Sequence, residues 1–151
     1  MTARSSARAP LLLPQFVPFR LNRLATAVSE HLAAIYRGRF GLEVPEWRVI
    51  ATVGQERGCT AQFIAASTRM HKTRVSRAIA QLRARGLLER AASRSDRREL
   101  QLRLSASGRR MYAQLVPLAL AREEELLAAL SLPERRVFLI ALGHLEEHLG
   151  L

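Results

Sequence analysis

The basic segment 71–85 holds the side chains best suited to chemistry with a polyanion. Arg74, Arg77 and Gln81 lie away from Val75 and its apolar neighbours, so a helix here exposes them together. Guanidinium and amide groups pair with phosphate oxygens and with base edges in a DNA major groove. The alternative is a solvated basic helix. The candidate DNA contacts in and before this helix are Thr60, His71, Lys72, Thr73, Arg74, Ser76, Arg77 and Gln81.

A second basic group follows the helix within the polar segment 92–98. Arg94, Arg97 and Arg98 surround Asp96, and an arginine at such a tip can enter a narrow minor groove rich in A·T pairs. Asp96 can hold a neighbouring arginine in one pose. The alternative is a solubilising loop. A basic helix followed directly by a basic hairpin tip is much rarer than either feature alone, and this order favours DNA binding.

The elements that must position these residues follow from the periodicity of apolar positions. Helical spacing predicts helices over 19–37, from Pro45 to about residue 54, over 61–67 and over 71–85, then over 106–130 and from Ser131 onward. Between residues 99 and 104 the period changes to two, which predicts a strand paired with 87–91. Ser131 and Glu134 form a capping-box pattern. The expected fold is mainly α with a small β-hairpin.

The composition indicates a folded chain with a polyanionic partner. The 151 residues are 48% hydrophobic and 25% charged, and the net charge is +11. The single cysteine, Cys59, allows no internal disulfide, and we interpret it as a small buried residue. The sequence contains no nucleophile elbow, phosphate-cradling glycine loop or metal-ligand cluster. We therefore expect neither an enzyme nor a cofactor, no membrane span, and a cytoplasmic, nucleoid-associated bacterial protein.

Several strings in this order resemble the MarR family of winged helix-turn-helix regulators. They are Val75-Ser76-Arg77, Leu82 with Gly86-Leu87-Leu88-Glu89-Arg90, Ser95-Asp96-Arg97-Arg98, and Leu100 to Ser105 with Gly108. The resemblance covers about residues 18–149. It implies a homodimer, a recognition helix at 71–85 and a wing tip at which Asp96 and Arg98 act. His71 stands where the family commonly has an acidic or small polar residue.

The expected domain organisation has three parts, of which the resemblance implies the last two. Residues 1–16 form an N-terminal arm, residues 18–37 and 106–149 form the helices of a dimerisation layer, and residues 45–104 form the winged helix-turn-helix of a domain spanning 17–149. The expected partners are a second copy of the chain and a pseudo-palindromic operator in double-stranded DNA.

Three further strings are similar to regulators of aromatic-acid breakdown, nearest to those that respond to hydroxycinnamoyl-CoA. They are Leu21-Asn22-Arg23-Leu24, Tyr36 to Phe40 and Pro45-Glu46-Trp47-Arg48. The resemblance implies an effector between the helical layer and the winged domain, and a repressor released by a small aromatic compound or its acyl-CoA. The candidate effector residues are Tyr36, Phe40, Trp47 and Tyr112 for the aromatic group, and Arg37 and Arg39 for the phosphates. The alternatives are core packing for the aromatic residues and surface charge for the arginines.

Other function classes remain open. An architectural protein would coat DNA without responding to a ligand, and a basic protein-interaction module would show no operator preference. Effector-induced release from a defined operator separates the expected regulator from both.

Overall fold

The computed structural model describes residues 10–92 and 100–151. A short 3₁₀ turn at Leu13–Gln15 precedes the first helix. The helices are α1 (Val17–Phe40), α2 (Val44–Glu56), α3 (Ala61–Thr68), α4 (Lys72–Ala84), α5 (Ala106–Leu127) and α6 (Leu132–His148). Strands β1 (Leu88–Ala92) and β2 (Leu100–Leu104) lie between α4 and α5. The predicted class, mainly α with a β-hairpin, is confirmed.

Side chains at the N-termini explain where several helices begin. The Glu46 carboxylate accepts a hydrogen bond from the Glu43 backbone N–H at 2.8 Å, which caps α2. The predicted capping box of α6 is present, because the Glu134 carboxylate accepts from the Ser131 N–H at 2.8 Å. The Ser131 hydroxyl donates to the same carboxylate at 2.6 Å. This bond and the backbone bond stabilise the charged form, so the pKa of Glu134 lies below its usual value. The orphan N–H groups of both helices thereby gain acceptors.

The core lies mainly inside the winged part of the chain. Ile50 of α2, Ile64 of α3 and Leu82 of α4 are completely buried. The two helices α2 and α4 share the largest helix–helix contact, and α3 packs across both. Together these helices form a compact three-helix unit, which presents the outer side of α4 to solvent.

The hairpin completes this unit on one side. Its strands are antiparallel, with Leu88 opposite Leu104 and Ala92 opposite Leu100. Cys59, just before α3, exchanges two backbone hydrogen bonds with Leu102 and adds an isolated bridge to the hairpin. The Cys59 thiol is buried, and burial raises its pKa to about 11. The interpretation of Cys59 as a small core residue is confirmed.

The helices at the two ends of the chain leave much apolar surface uncovered. No residue of α6 is buried, and Val137 and Ile140 are 66% and 54% exposed. Leu21 and Leu24 in the first half of α1 are also exposed. None of the helices in residues 10–92 and 100–151 is long and apolar enough to cross a membrane.

Candidate nucleic-acid interface

Helix α4 is placed by the apolar half of its surface. Val75, Ala78, Ile79 and Leu82 are buried against the core. This spacing of three and four residues fills one face of the helix. The remaining side chains of α4 therefore point into solvent.

The exposed side of α4 and its N-cap carry most of the predicted DNA contacts. His71, Lys72, Thr73, Arg74, Ser76, Arg77 and Gln81 are all exposed. The eighth, Thr60, is half-buried, and its hydroxyl accepts a hydrogen bond from the Phe63 N–H at 3.1 Å to cap α3. The structure therefore leaves the predicted α4 residues exposed, groups Arg74, Arg77 and Gln81 along one groove, and uses the Thr60 hydroxyl as a helix cap.

His71 is the N-cap residue of α4, at a position where the MarR family, which this sequence resembles, commonly has an acidic or small polar residue. Its Nδ1 atom accepts a hydrogen bond from the Thr73 N–H at 3.3 Å. That bond requires an unprotonated Nδ1. Nε2 is then the ring nitrogen that remains for an outside partner.

A shallow groove runs beside the arginines of α4. It has a volume of about 320 Å³, and its walls include Arg74, Arg77 and Gln81 of α4 and Glu43 and Glu46 at the start of α2. The predicted reading residues therefore share one surface with two carboxylates. Sequence reasoning did not anticipate these acidic neighbours, because they lie about thirty residues away along the chain.

The wing-tip candidates lie outside the described residues. These are Arg94, Asp96, Arg97 and Arg98, and they belong to the segment between the paired ends Ala92 and Leu100. The strands confirm that this basic segment connects a hairpin. Its contacts with DNA stay a prediction.

Two of the predicted effector residues are packed against each other. The rings of Tyr36 and Trp47 are stacked, with centroids 5.6 Å apart and planes 21° from parallel. Tyr36 is 2% exposed, and its hydroxyl donates to the Ser29 carbonyl at 3.4 Å. Burial raises the pKa of Tyr36, partly offset by the nearby charges of Arg48 and Arg37. The stacked pair of Tyr36 and Trp47 therefore belongs to the core.

The other two aromatic candidates also pack against the core. Phe40 is half-buried against the core at the end of α1. The Tyr112 ring of α5 lies on Gly54 of α2, so close that a Cβ atom there would stand 2.7 Å from its Cε2. The four aromatic side chains therefore all pack in or against the core.

The two effector arginines face different grooves. Arg37 pairs with Glu43, with 2.9 Å between Nε and Oε2, and lines a cleft of about 470 Å³ between α1, α2 and the start of α4. Arg48 and Arg74 line the same cleft. Arg39 instead borders a groove between α1 and α5 beside Arg122. Only tertiary packing gathers Arg37, Arg48 and Arg74, so no sequence spacing could reveal this group.

Comparison with known proteins gives consistent matches. A family profile described as MarR family matches residues 40–99. A MarR family transcriptional regulator from Silicibacter pomeroyi DSS-3 is 30% identical, with 80% of this chain and 85% of that chain covered and a TM-score of 0.70. A MarR/EmrR family regulator from Acinetobacter sp. ADP1 is 24% identical, with 93% and 99% covered and a TM-score of 0.83.

A third structure shows the same fold at lower identity. It is BpsR of Bordetella bronchiseptica, described with a mechanism for regulation of its DNA binding by 6-hydroxynicotinic acid. The identity is 20%, the coverage 91% of this chain and 98% of that chain, and the TM-score 0.79. No curated protein sequence matches the chain.

Proposed function

Because the chain belongs to the MarR family of DNA-binding transcriptional regulators, we propose that it represses transcription as a homodimer whose α4 helices read a pseudo-palindromic operator. The observation that carries this proposal is the exposed polar side of α4, with Arg74, Arg77 and Gln81 on a helix held rigidly by its buried face. A helix of this width enters the major groove, where arginine pairs with guanine and glutamine with adenine.

The uncovered apolar faces support the dimer. Val137 and Ile140 of α6, with Leu21 and Leu24 of α1, would bury their surface against a second copy. A symmetric dimer presents two α4 helices, and its half-sites then lie about 34–36 Å apart, one helical turn of DNA. Residues 17–40 and 106–148 supply this layer, and residues 44–104 supply the reading unit.

The wing extends the contact beyond the major groove. Arg94, Arg97 and Arg98 are proposed to approach the minor groove flanking each half-site, with Asp96 orienting one of them. The net charge of +11 adds a sequence-independent attraction to phosphate. Replacing Arg98 with alanine should therefore weaken binding most where the flanking sequence is rich in A·T pairs.

Titration of DNA by an α4 variant tests the reading helix. The probe is a duplex selected by the wild-type protein from a random library. Arg77→Ala should lose about 1–3 kcal/mol of binding free energy at fixed salt. Arg110→Ala removes the same charge from an exposed site on α5, so its loss should be well below 1 kcal/mol. Equal losses for both variants would contradict a positioned contact by Arg77.

We further propose that an anionic aromatic effector binds the cleft that Arg37, Arg48 and Arg74 line. Its carboxylate would compete with Glu43 for Arg37. The stacked Tyr36 and Trp47 rings lie beside this cleft, since the Tyr36 hydroxyl reaches the Ser29 carbonyl on its wall. BpsR, which shares the fold, is regulated by 6-hydroxynicotinic acid, a small aromatic acid.

Release from DNA would follow from the shared arginine. Arg74 lines the cleft and also lies on the exposed side of α4. An anion that engages Arg74 withdraws it from DNA, so the effector binds the free protein more tightly than the complex. A tenfold loss of DNA affinity needs only about 1.4 kcal/mol of coupling.

Calorimetry and a DNA-release assay test the effector with 4-hydroxycinnamic acid and its CoA thioester. Arg37→Ala should weaken both compounds, because it removes the partner of the acid or acyl group. Arg39→Ala should weaken only the thioester, since Arg39 faces a separate groove that only the long CoA tail could reach. If the free acid works as well as the thioester, the CoA assignment is wrong. If neither compound binds or releases DNA, the architectural alternative is favoured.

A further inference from the structure

The C-terminal end of α4 is attached to α1 through one side chain. The Arg85 guanidinium donates from Nη1 to the Gly41 carbonyl at 2.8 Å and from Nη2 to the Phe40 carbonyl at 2.7 Å. Among the residues that the structure describes, these are the side-chain hydrogen bonds that join α4 to α1. Arg85 therefore connects the reading helix directly with the first helix of the proposed dimer layer.

The backbone at the end of α1 explains why an arginine fits there. Gly41 turns left-handed at φ 60°, and the N–H groups of Gly41 and Leu42 bond back to the carbonyls of Arg37 and Tyr36. The last carbonyls of the helix remain without partners in the backbone and carry the negative end of its dipole. The planar guanidinium of Arg85 donates hydrogen bonds to two of these carbonyls at once.

The same end of α4 is attached to α5. The Ser105 hydroxyl donates to the Gly86 carbonyl at 2.6 Å and accepts from the Gly108 N–H at 3.0 Å. The Ser105 N–H donates to the Leu87 carbonyl at 3.1 Å. Helices α1 and α5 thus both bind the three residues 85–87, which we call the junction.

Arg74 and Arg77, two of the reading residues, lie toward the other end of α4 from the junction. Arg74 is eleven residues before Arg85, or about 16 Å along a helix. A rotation of the whole three-helix unit by about 10° about the junction would move Arg74 by roughly 3 Å, close to the rise of one base pair. A small change in the attachment of α4 therefore becomes a change of one base pair at the DNA.

We propose that Arg85 is a positioning residue for operator recognition, which sets the angle of α4 against α1 and so selects the spacing between half-sites. The proposal rests on the dimeric reading of DNA described above. It assigns Arg85 no contact with DNA, because both terminal nitrogens of its guanidinium are engaged by the α1 carbonyls.

Operator spacing supplies a readout that a phosphate contact or a simple loss of stability would not change. The wild-type protein first selects a duplex from a library with about three helical turns of random sequence. Four probes are then made: the selected duplex, versions with one base pair inserted or deleted at the centre, and a single half-site. Each is titrated with wild type, Arg85→Met, Arg85→Lys and Arg83→Met. Arg83 is the matched control, since it is exposed near the same end of α4.

We expect Arg85→Met to discriminate poorly between operators with different half-site spacings. Wild type should bind its selected spacing about tenfold or more tightly than the altered spacings, and Arg85→Met about threefold or less. The affinity of Arg85→Met for the single half-site should stay within about twofold of wild type. Arg85→Lys should be intermediate, because an ammonium lacks the fork geometry. Arg83→Met should keep the full preference.

Two results would overturn the proposal. One is an undiminished spacing preference in Arg85→Met, and the other is an equal loss of affinity on all four probes. If thermal melting shows that Arg85→Met does not fold, the Arg85→Lys comparison decides, and an unchanged preference there contradicts the proposal. A wild-type protein that selects no paired half-sites would instead contradict the dimeric reading itself.

Discussion

The winged part of the chain and the last helix use similar apolar residues with opposite outcomes. In the winged part, Ile50, Ile64 and Leu82 have no exposed surface. In α6, Val137 and Ile140 expose more than half of theirs, and no residue of the helix is buried. The difference lies in the surroundings of each segment, since both contain regularly spaced aliphatic side chains.

The contrast shows that the winged part buries its apolar residues within a single chain, whereas α6 does not. Helices α2, α3 and α4 meet one another and the hairpin, so each apolar face finds a partner nearby in sequence. Helix α6 is joined to α5 by the ion pair between Arg135 and Glu124, which are 2.8 Å apart, and leaves its apolar side chains in water. Burying such surface is worth about 25 cal/mol per Å², which a second copy of the chain would supply.

The largest effect is expected when charge is placed on the uncovered face of α6. Val137→Asp with Ile140→Asp should cost several kcal/mol of dimerisation free energy, because two carboxylates would have to be buried in an apolar interface. Sedimentation should show a monomer at micromolar concentration, while circular dichroism still reports cooperative unfolding of the winged part. Arg136→Asp, a charge change at a polar position of the same helix, should stay dimeric. A dimeric double variant would show that α6 is not in the interface.

The next largest effect is expected at Gly108, a buried glycine near the start of α5. A Cβ atom at Gly108 would lie 2.1 Å from the Leu87 carbonyl oxygen, so the start of α5 must move away from Leu87. Gly108→Ala should lower the free energy of unfolding by about 3 kcal/mol. In contrast, a Cβ at Gly143 of α6 meets nothing within 4 Å, and Gly143→Ala should gain about 0.5–1 kcal/mol. Urea unfolding measures both, and equal behaviour of the two variants would contradict the tight approach at Gly108.

A smaller, pH-dependent effect comes from the buried thiol. Burial raises the pKa of Cys59 from 9.0 to about 11. The unfolded chain therefore loses this proton at lower pH than the folded chain does, and the free energy of unfolding should fall as pH rises from about 9 to 11. The slope should not exceed about 1.4 kcal/mol per pH unit. Cys59→Ala should lack this component, so parallel curves for the two proteins would show that the thiol titrates normally.

Much of the fold was predictable because its signals are local. The change from helical period to period two located the hairpin, and the Ser131–Glu134 capping box marked the start of α6. These patterns join residues at most four positions apart, so they are already present in the chain before it packs. The outward side of α4 follows from the same periodicity. The basic string Ser95-Asp96-Arg97-Arg98 stays a prediction from sequence alone.

Only the tertiary structure decided which distant groups meet. It stacked Tyr36 on Trp47, brought Arg37 into one cleft with Arg48 and Arg74, and placed Arg85 on the last carbonyls of α1. The Arg85 bonds span forty-four and forty-five residues. A side chain's neighbours at such separations depend on how whole helices pack, and one sequence period is compatible with many packings. The sequence by itself thus determined the secondary-structure elements and the basic surface, while packing decided the orientation of that surface.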